Sequence, residues 1–225
     1  MIGVGMFKAV IFDWDGTLAN TRKAVVHSFQ KVLRSAGCGI SDEFIERRMG
    51  IGTKKTIEEA LEECNLNFDD NMVEKLTKEK IRIQANCTNI VDLFDGVNEL
   101  LRTLQGKIKI ALATMSSKKV VDKLLPKKRI EKYFDVVVTA DEIVKSKPDP
   151  EIFIVSSAKL RVKPEECVVV EDSIFGIKAA KAAKMQCIAV SSGAYSREEL
   201  EKENPDMIIN SLVETERMLS FIFNI

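Results

Sequence analysis

A chain of 225 residues has room for one large domain, or for a core carrying a modest insert, and buries enough surface to need no metal or disulfide staple. Its 34 basic and 34 acidic residues cancel, which excludes a global electrostatic pull towards nucleic acid or an anionic membrane. Five cysteines (Cys38, Cys64, Cys87, Cys167 and Cys187) are widely spaced with no C-x-x-C pair. Neither a zinc site nor a disulfide framework is expected from them, and a reducing, cytoplasmic compartment is.

The first twelve residues are apolar but short, carry Lys8 and run into acidic residues. They predict a first strand at 9–12 rather than a signal peptide. From about 21 to 88 no convincing strand follows. Four helices are predicted there, at 21–36, 41–49, 54–64 and 70–87. Gly37 and Gly39, Gly50 and Gly52, and the Asn67 to Asn71 stretch punctuate them, with Ser41, Asp42 and Thr53 as starts. Such a block is too long for a simple connection and reads as an inserted helical domain, residues 20–88, within a core of 1–19 and 89–225.

Beyond it, apolar runs at 108–113, 136–138, 168–170 and 187–190, with a short edge strand at 208–209, alternate with amphipathic stretches at 95–104, 150–160 and 173–184. Continuous apolar strands are what a parallel sheet buried on both faces requires, and the alternation predicts a doubly wound, Rossmann-like α/β sheet. The basic run Lys127, Lys128 and Arg129 reads as a solvated turn after Pro126. The apolar tail at 218–223 reads as a docked terminal helix, or a dimer contact, rather than a membrane anchor.

Four polar clusters follow strands or the loops beyond them. After the first strand stands Asp13-Trp14-Asp15-Gly16-Thr17, in which residues two apart face one side. Two carboxylates held together repel unless a cation intervenes, and Mg²⁺ suits an oxygen-rich site that also receives phosphate. Glu171-Asp172-Ser173 follows another apolar strand and supplies a second carboxylate pair, or a helix cap. In Lys147-Pro148-Asp149-Pro150 the prolines stiffen a loop that aims a cation, with Lys145 as a decoy. Thr114-Met115-Ser116-Ser117 offers hydroxyls and backbone N–H groups that cradle a phosphate, or cap a helix. Together they form the set that phosphoryl transfer to a carboxylate needs.

With these motifs in this order, the chain resembles the haloacid dehalogenase superfamily, in the branch of phosphoglycolate phosphatases and β-phosphoglucomutases whose helical cap follows the first motif. The helix from Gly176 to Ala183 adds to the likeness, while Met115, often Asn in the family, and Asn20, often Asp, depart from it. The resemblance implies that Asp13 attacks phosphorus and that Asp15 serves as acid and then base. Thr114 and Lys147 would hold the transferred group. Mg²⁺ would sit on Asp13, the Asp15 carbonyl and Asp172, with Glu171 a direct or water-mediated ligand. Dehalogenases of the family lack the second Asp, so Asp15 favours phosphate chemistry.

The expected activity is hydrolysis of a small phosphorylated metabolite by a monomer or homodimer. Thr114, Met115, Ser116, Lys147, Gly52, Arg48 and Lys54 are the candidate substrate contacts. A β-phosphoglucomutase-like transferase is the second reading, weakened because the only histidine, His27, lies later than that type requires. A non-catalytic phosphate- or metal-binding module is the third, and has no need of Asp15.

Overall fold

A computed structural model describes residues 7–225 of the chain. Residues 1–6 of the expected N-terminal segment lie outside the described residues. The strands are β1 (Ala9–Phe12), β2 (Ala19–Asn20), β3 (Asp92–Leu93), β4 (Lys109–Ala113), β5 (Val136–Val138), β6 (Cys167–Glu171), β7 (Gln186–Val190) and β8 (Met207–Ile209). Six of them form one sheet in the order β5-β4-β1-β6-β7-β8, every pairing parallel. The helices packed on it are α5 (Val97–Leu104), α6 (Lys118–Lys128), α7 (Glu151–Leu160), α8 (Ile174–Ala182), α9 (Arg197–Glu201) and α10 (Thr215–Phe223), after four earlier ones described below.

Strand periodicity divides the core in two. Val10 and Phe12 of β1 enter one cluster with Leu100, Leu104 and Leu124, while Ala9 and Ile11 enter the other with Phe153 and Ile177. Burial on both faces explains the unbroken apolar runs, since β1 and β6 have no exposed position. Because β1 is flanked by β4 and β6, the chain winds in opposite directions on its two sides. A crevice opens at the strand ends at that point, which is where such sheets bind ligands.

The helices between the first strand and α5 are Arg22–Ser35, Asp42–Glu46, Thr53–Glu63 and Asp70–Gln84, which become α1 to α4. Val25, Phe29, Leu33, Ile57, Leu61 and Val73 give them a hydrophobic cluster of their own. The Ser41 and Asp69 side chains cap α2 and α4 by accepting from the backbone N–H groups of Phe44 and Met72, whereas Thr53, expected to start α3, is its first residue behind an N-cap at Gly52. The block joins the sheet through the antiparallel pair of β2 and β3, which no periodicity announces because each strand is two residues long.

Two expectations are corrected. Cys38 and Cys64 are disulfide-bonded, tying the loop after α1 to the end of α3. They lie 26 residues apart, a pairing that sequence spacing cannot select and that the folding of one helix onto another creates. The basic run after Pro126 is largely solvated as expected, but it is not a turn. Pro126 lies inside α6, Lys127 and Lys128 form its last turn, and Arg129 closes it in the left-handed conformation. Lys128 reaches Asp92 of β3 at 3.1 Å. The tail forms α10 as expected, with Met218 and Ile222 buried and Phe221 stacked on Phe7. No helix of the described residues is long and apolar enough to cross a membrane.

Reduction of the Cys38–Cys64 bond, or replacement of both cysteines by serine, is expected to destabilise the helical block. Closing a loop of this length removes unfolded-state entropy worth roughly 3 kcal/mol in the chain-entropy account. Thermal unfolding with and without reductant measures it, and equal melting temperatures would contradict the expectation.

Candidate functional site

The crevice beside β1 gathers the four polar clusters. Asp13 follows β1 directly, Thr114 follows β4, and Glu171 ends β6. Lys147 arrives from the long connection between β5 and α7 and is 0% exposed. Its ammonium donates to Asp13 Oδ1 at 2.6 Å and to Glu171 Oε1 at 2.6 Å. Lys145, two residues earlier, is exposed and only loosely opposite Asp149.

Glu171 is the most heavily committed carboxylate. Its second oxygen accepts from the backbone N–H groups of Asp172 and Ser173 and from the Ser173 hydroxyl. The Ser173 hydroxyl also caps α8 by accepting from Gly176 N, so the metal-site and helix-cap readings of this motif hold together. Asp172 accepts from Thr17 Oγ1 at 2.9 Å. Gly16 and Gly193 close round its carboxylate so tightly that an added Cβ would lie 2.2 Å and 1.8 Å, respectively, from Oδ2. Gly16 also has φ +97°, so glycine is required there twice over.

Asp13, Glu171 and Asp172 are all buried, and each offers an oxygen within 4.8 Å of the others. Burial raises the Asp13 carboxyl, with Lys147 opposing and the Glu171 and Asp15 charges adding. Burial and the neighbouring carboxylates Glu171 and Asp13 likewise raise Asp172. Burial pulls the Lys147 ammonium down, but the charges of Asp13 and Glu171 outweigh it and the net direction is upward. One lysine thus faces three crowded carboxylates, a donor set of hard oxygens that fits a divalent cation such as Mg²⁺.

Asp15 turns the other way. Its Oδ2 accepts from Thr114 Oγ1 at 3.2 Å and Ser116 Oγ at 2.8 Å. Its Oδ1 is buried and has no hydrogen-bond partner among the described residues. Asp15 borders a small chamber of about 30 Å³ under the helical block, lined also by Arg48, Gly52, Thr53, Lys80, Met115 and Ser116. Of the expected substrate contacts, Thr114, Met115, Ser116 and Lys147 come together with the carboxylates, and Gly52 meets them from above. Arg48 borders the chamber, but its guanidinium is held by Glu59 at 2.7 Å and stacks on Phe44. Lys54 is exposed and faces an outer cleft instead. His27 is exposed on α1 and lines neither space.

Lys80 of α4 is the residue that sequence reading missed. It is 4% exposed, and its ammonium donates to Gln84 Oε1 at 2.6 Å and Thr53 Oγ1 at 3.3 Å and lies over the Phe29 ring. Among the described residues it has no carboxylate partner. The signal was present: Val73, Leu76, Lys80 and Ile83 share the buried face of α4, and a lysine at an apolar-face position marks a buried charge. Burial lowers its pKa to about 8, with Asp15 pulling the other way.

The helical block also grips the sheet side directly. Arg47 pairs with both oxygens of Glu199, at 3.0 Å and 2.6 Å, and stacks on Tyr195, whose hydroxyl donates to the Arg47 carbonyl at 2.5 Å. Tyr195 lies two residues from Gly193, against Asp172.

With this geometry in place, the comparisons are decisive for family. The haloacid dehalogenase-like hydrolase family matches residues 10–190. The chain belongs to that family. A phosphorylated carbohydrates phosphatase of Thermotoga maritima is 33% identical over 183 residues, covering 80% of this chain and 83% of that one. A β-phosphoglucomutase of Bacillus subtilis is 30% identical over 192 residues, covering 83% and 84%. Among solved structures, CbbY of Rhodobacter sphaeroides in complex with xylulose-1,5-bisphosphate superposes with TM-score 0.82 at 26% identity, covering 93% of this chain and 96% of that one. The parallel sheet with its additional helical region is the fold of the solved neighbours, and the chain is a hydrolase of that family.

Lys80 makes a pH-dependent stability difference. Below about 8 the group is charged in folded and unfolded chains alike, and folding bears the full cost of burying the ammonium. Between there and its ordinary 10.5 the folded group sheds its proton first and that cost is relieved. The stability of the native chain relative to Lys80→Met should therefore rise by an amount on the order of 2–3 kcal/mol between pH 7 and pH 10.5. Denaturant unfolding of both proteins across that range measures it, and parallel curves would contradict it.

Proposed function

We propose that the protein is a Mg²⁺-dependent phosphatase of a small phosphorylated metabolite, with a sugar phosphate as the favoured class, acting through an aspartyl phosphate at Asp13. The observation that carries the proposal is the pair of aspartates. Asp13 has one oxygen fixed by Lys147, and Asp15 lines the space above it and keeps one oxygen buried and unpartnered. A nucleophile and an acid/base group on one strand end, with separate partners, suit two successive displacements.

In the first displacement an Asp13 oxygen bonds to phosphorus, the bond to the ester oxygen breaks, and Asp15 gives that oxygen its proton. In the second, Asp15 takes a proton from water as the water oxygen bonds to phosphorus. The bond to Asp13 then breaks and inorganic phosphate leaves. Lys147 and the Thr114 hydroxyl hold the transferred oxygens, and Met115 N and Ser116 contribute to the same cradle. Mg²⁺ would be held by Asp13, Asp172 and the Asp15 carbonyl, and would neutralise charge on the phosphoryl group. Glu171, both of whose oxygens are already engaged, fits the role of positioning Lys147 or contacting the metal through water.

The same proposal assigns residues 20–88 as a cap. Lys80 supplies its cation, since a buried ammonium with neutral partners only is stabilised by an oxygen-rich leaving group. Support for sugars comes from a relative named for phosphorylated carbohydrates, another named a β-phosphoglucomutase, and the solved CbbY in complex with xylulose-1,5-bisphosphate. A cytoplasmic setting belongs to the proposal too.

An aryl phosphate should be hydrolysed with Mg²⁺ and not after chelation. Asp13→Asn should lose at least about a thousandfold in kcat/KM. Asp15→Asn should lose about 10²–10⁴-fold, least for leaving groups that need no proton. Equal rates from the native chain and Asp13→Asn would sink the mechanism. Phosphate transferred to an added sugar phosphate instead of water would move the reading to a mutase.

A further inference from the structure

We infer that Met115 and Gly52 form the aperture between the reaction chamber and a much larger cleft, and that Met115 sets how long a leaving group the enzyme accepts. This rests on the phosphatase reading and deepens it. The chamber at Asp15 holds about 30 Å³, room for one or two waters. A leaving group beyond its first atoms does not fit there. Beside the chamber, between the helical block and the sheet, lies a cleft of about 1070 Å³, ample for a sugar. Gly52, Thr53 and Met115 line both spaces, so the two meet at these residues.

The constriction is tight. Gly52 stands at the start of α3 with φ +93°, and a Cβ there would lie 3.0 Å from the terminal methyl of Met115 and 3.6 Å from Ser146 Cβ. The absent Gly52 side chain and the long, flexible Met115 side chain thus set the width between them. Methionine is suited to such a place, since its unbranched thioether moves aside at low cost.

The cleft beyond has unsatisfied polar groups behind its lining. Ser117 occupies the N-cap position of α6 yet makes no cap hydrogen bond. Its hydroxyl is buried and without a partner among the described residues, as is that of Thr77 on α4. The two residues line the cleft from the sheet side and the helical side. Polar atoms left buried and unpaired cost stability, so both hydroxyls mark places where the protein does not satisfy its own cleft wall. The rest of the wall is mixed: Ile51, Ile81, Ile143 and Pro148 offer apolar surface for the carbon face of a sugar, among charged groups such as Lys54, Glu58 and Lys145.

The test is the ratio of kcat/KM for a hexose 6-phosphate to that for the two-carbon ester 2-phosphoglycolate, in which each protein is its own control. Met115→Ala widens the aperture and should raise the ratio about tenfold. Gly52→Ala narrows it and should lower the ratio by a similar factor. The double variant, in which the Cβ no longer meets the methyl, should return towards the Met115→Ala value. A ratio within about twofold of native in Met115→Ala, or a fall, overturns the inference whatever Gly52→Ala does. If the native chain hydrolyses neither these esters nor an aryl phosphate, the phosphatase reading itself fails, a different outcome from an unchanged ratio.

Discussion

The interaction on which the site depends is the buried contact of Lys147 with Asp13 and Glu171. An ammonium with no solvent exposure persists only when its charge is met at close range, and here two carboxylates do so at 2.6 Å each. The contact pulls together three chain segments that are far apart in sequence. It anchors the connection after β5 to the ends of β1 and β6, so the electrostatics of the crevice and the closure of the fold are one constraint. Its stability contribution is not the point, since a buried ion pair is weak evidence for stability. Its value is positional, because it fixes one oxygen of Asp13 and leaves the other free.

The parallel sheet makes that constraint possible. β1 lies between β4 and β6, and the connections leave on opposite sides, so Asp13, Thr114 and Glu171 reach the same crevice without any loop having to carry all three. The apolar clusters on the two faces lock strand register, and a slip of one residue would reverse Val10 and Ile11 and turn Asp13 away. Packing and chemistry are therefore not separable in this chain. The tight approach of Gly16 and Gly193 to Asp172 shows the same coupling at atomic scale.

The helical block contributes what the sheet lacks. It brings Lys80, held by neutral partners, against the chamber, and Arg47, which clasps Glu199 and Tyr195. The two cations differ in use. Arg47 is satisfied within the protein by Glu199, whereas Lys80 is buried among neutral partners. The clasp lands on the segment that also packs Gly193 on Asp172, so the position of the block and the carboxylate geometry share a physical connection.

By itself, the sequence determined the doubly wound sheet and the all-helical stretch after the first strand, and it singled out Asp13, Asp15, Thr114, Lys147, Glu171 and Asp172 as a candidate site. Those are written in local patterns: apolar runs of strand length, Gly and Ser or Asp at helix ends, and polar clusters immediately after strands. What the tertiary structure alone decided concerns residues whose meaning depends on a distant neighbour. Lys80 looks like one lysine among many until α4 turns it inward beside Phe29. Arg48 and Lys54 look equivalent until Glu59 holds one and solvent takes the other. Cys38 and Cys64 carry no pairing signal, and β2 and β3 are too short for any period. Met115 is only a departure from a motif until Gly52 is placed against its methyl. The physical reason is common to all of them: local propensity and periodicity report which face of an element is buried, but not what is buried against it.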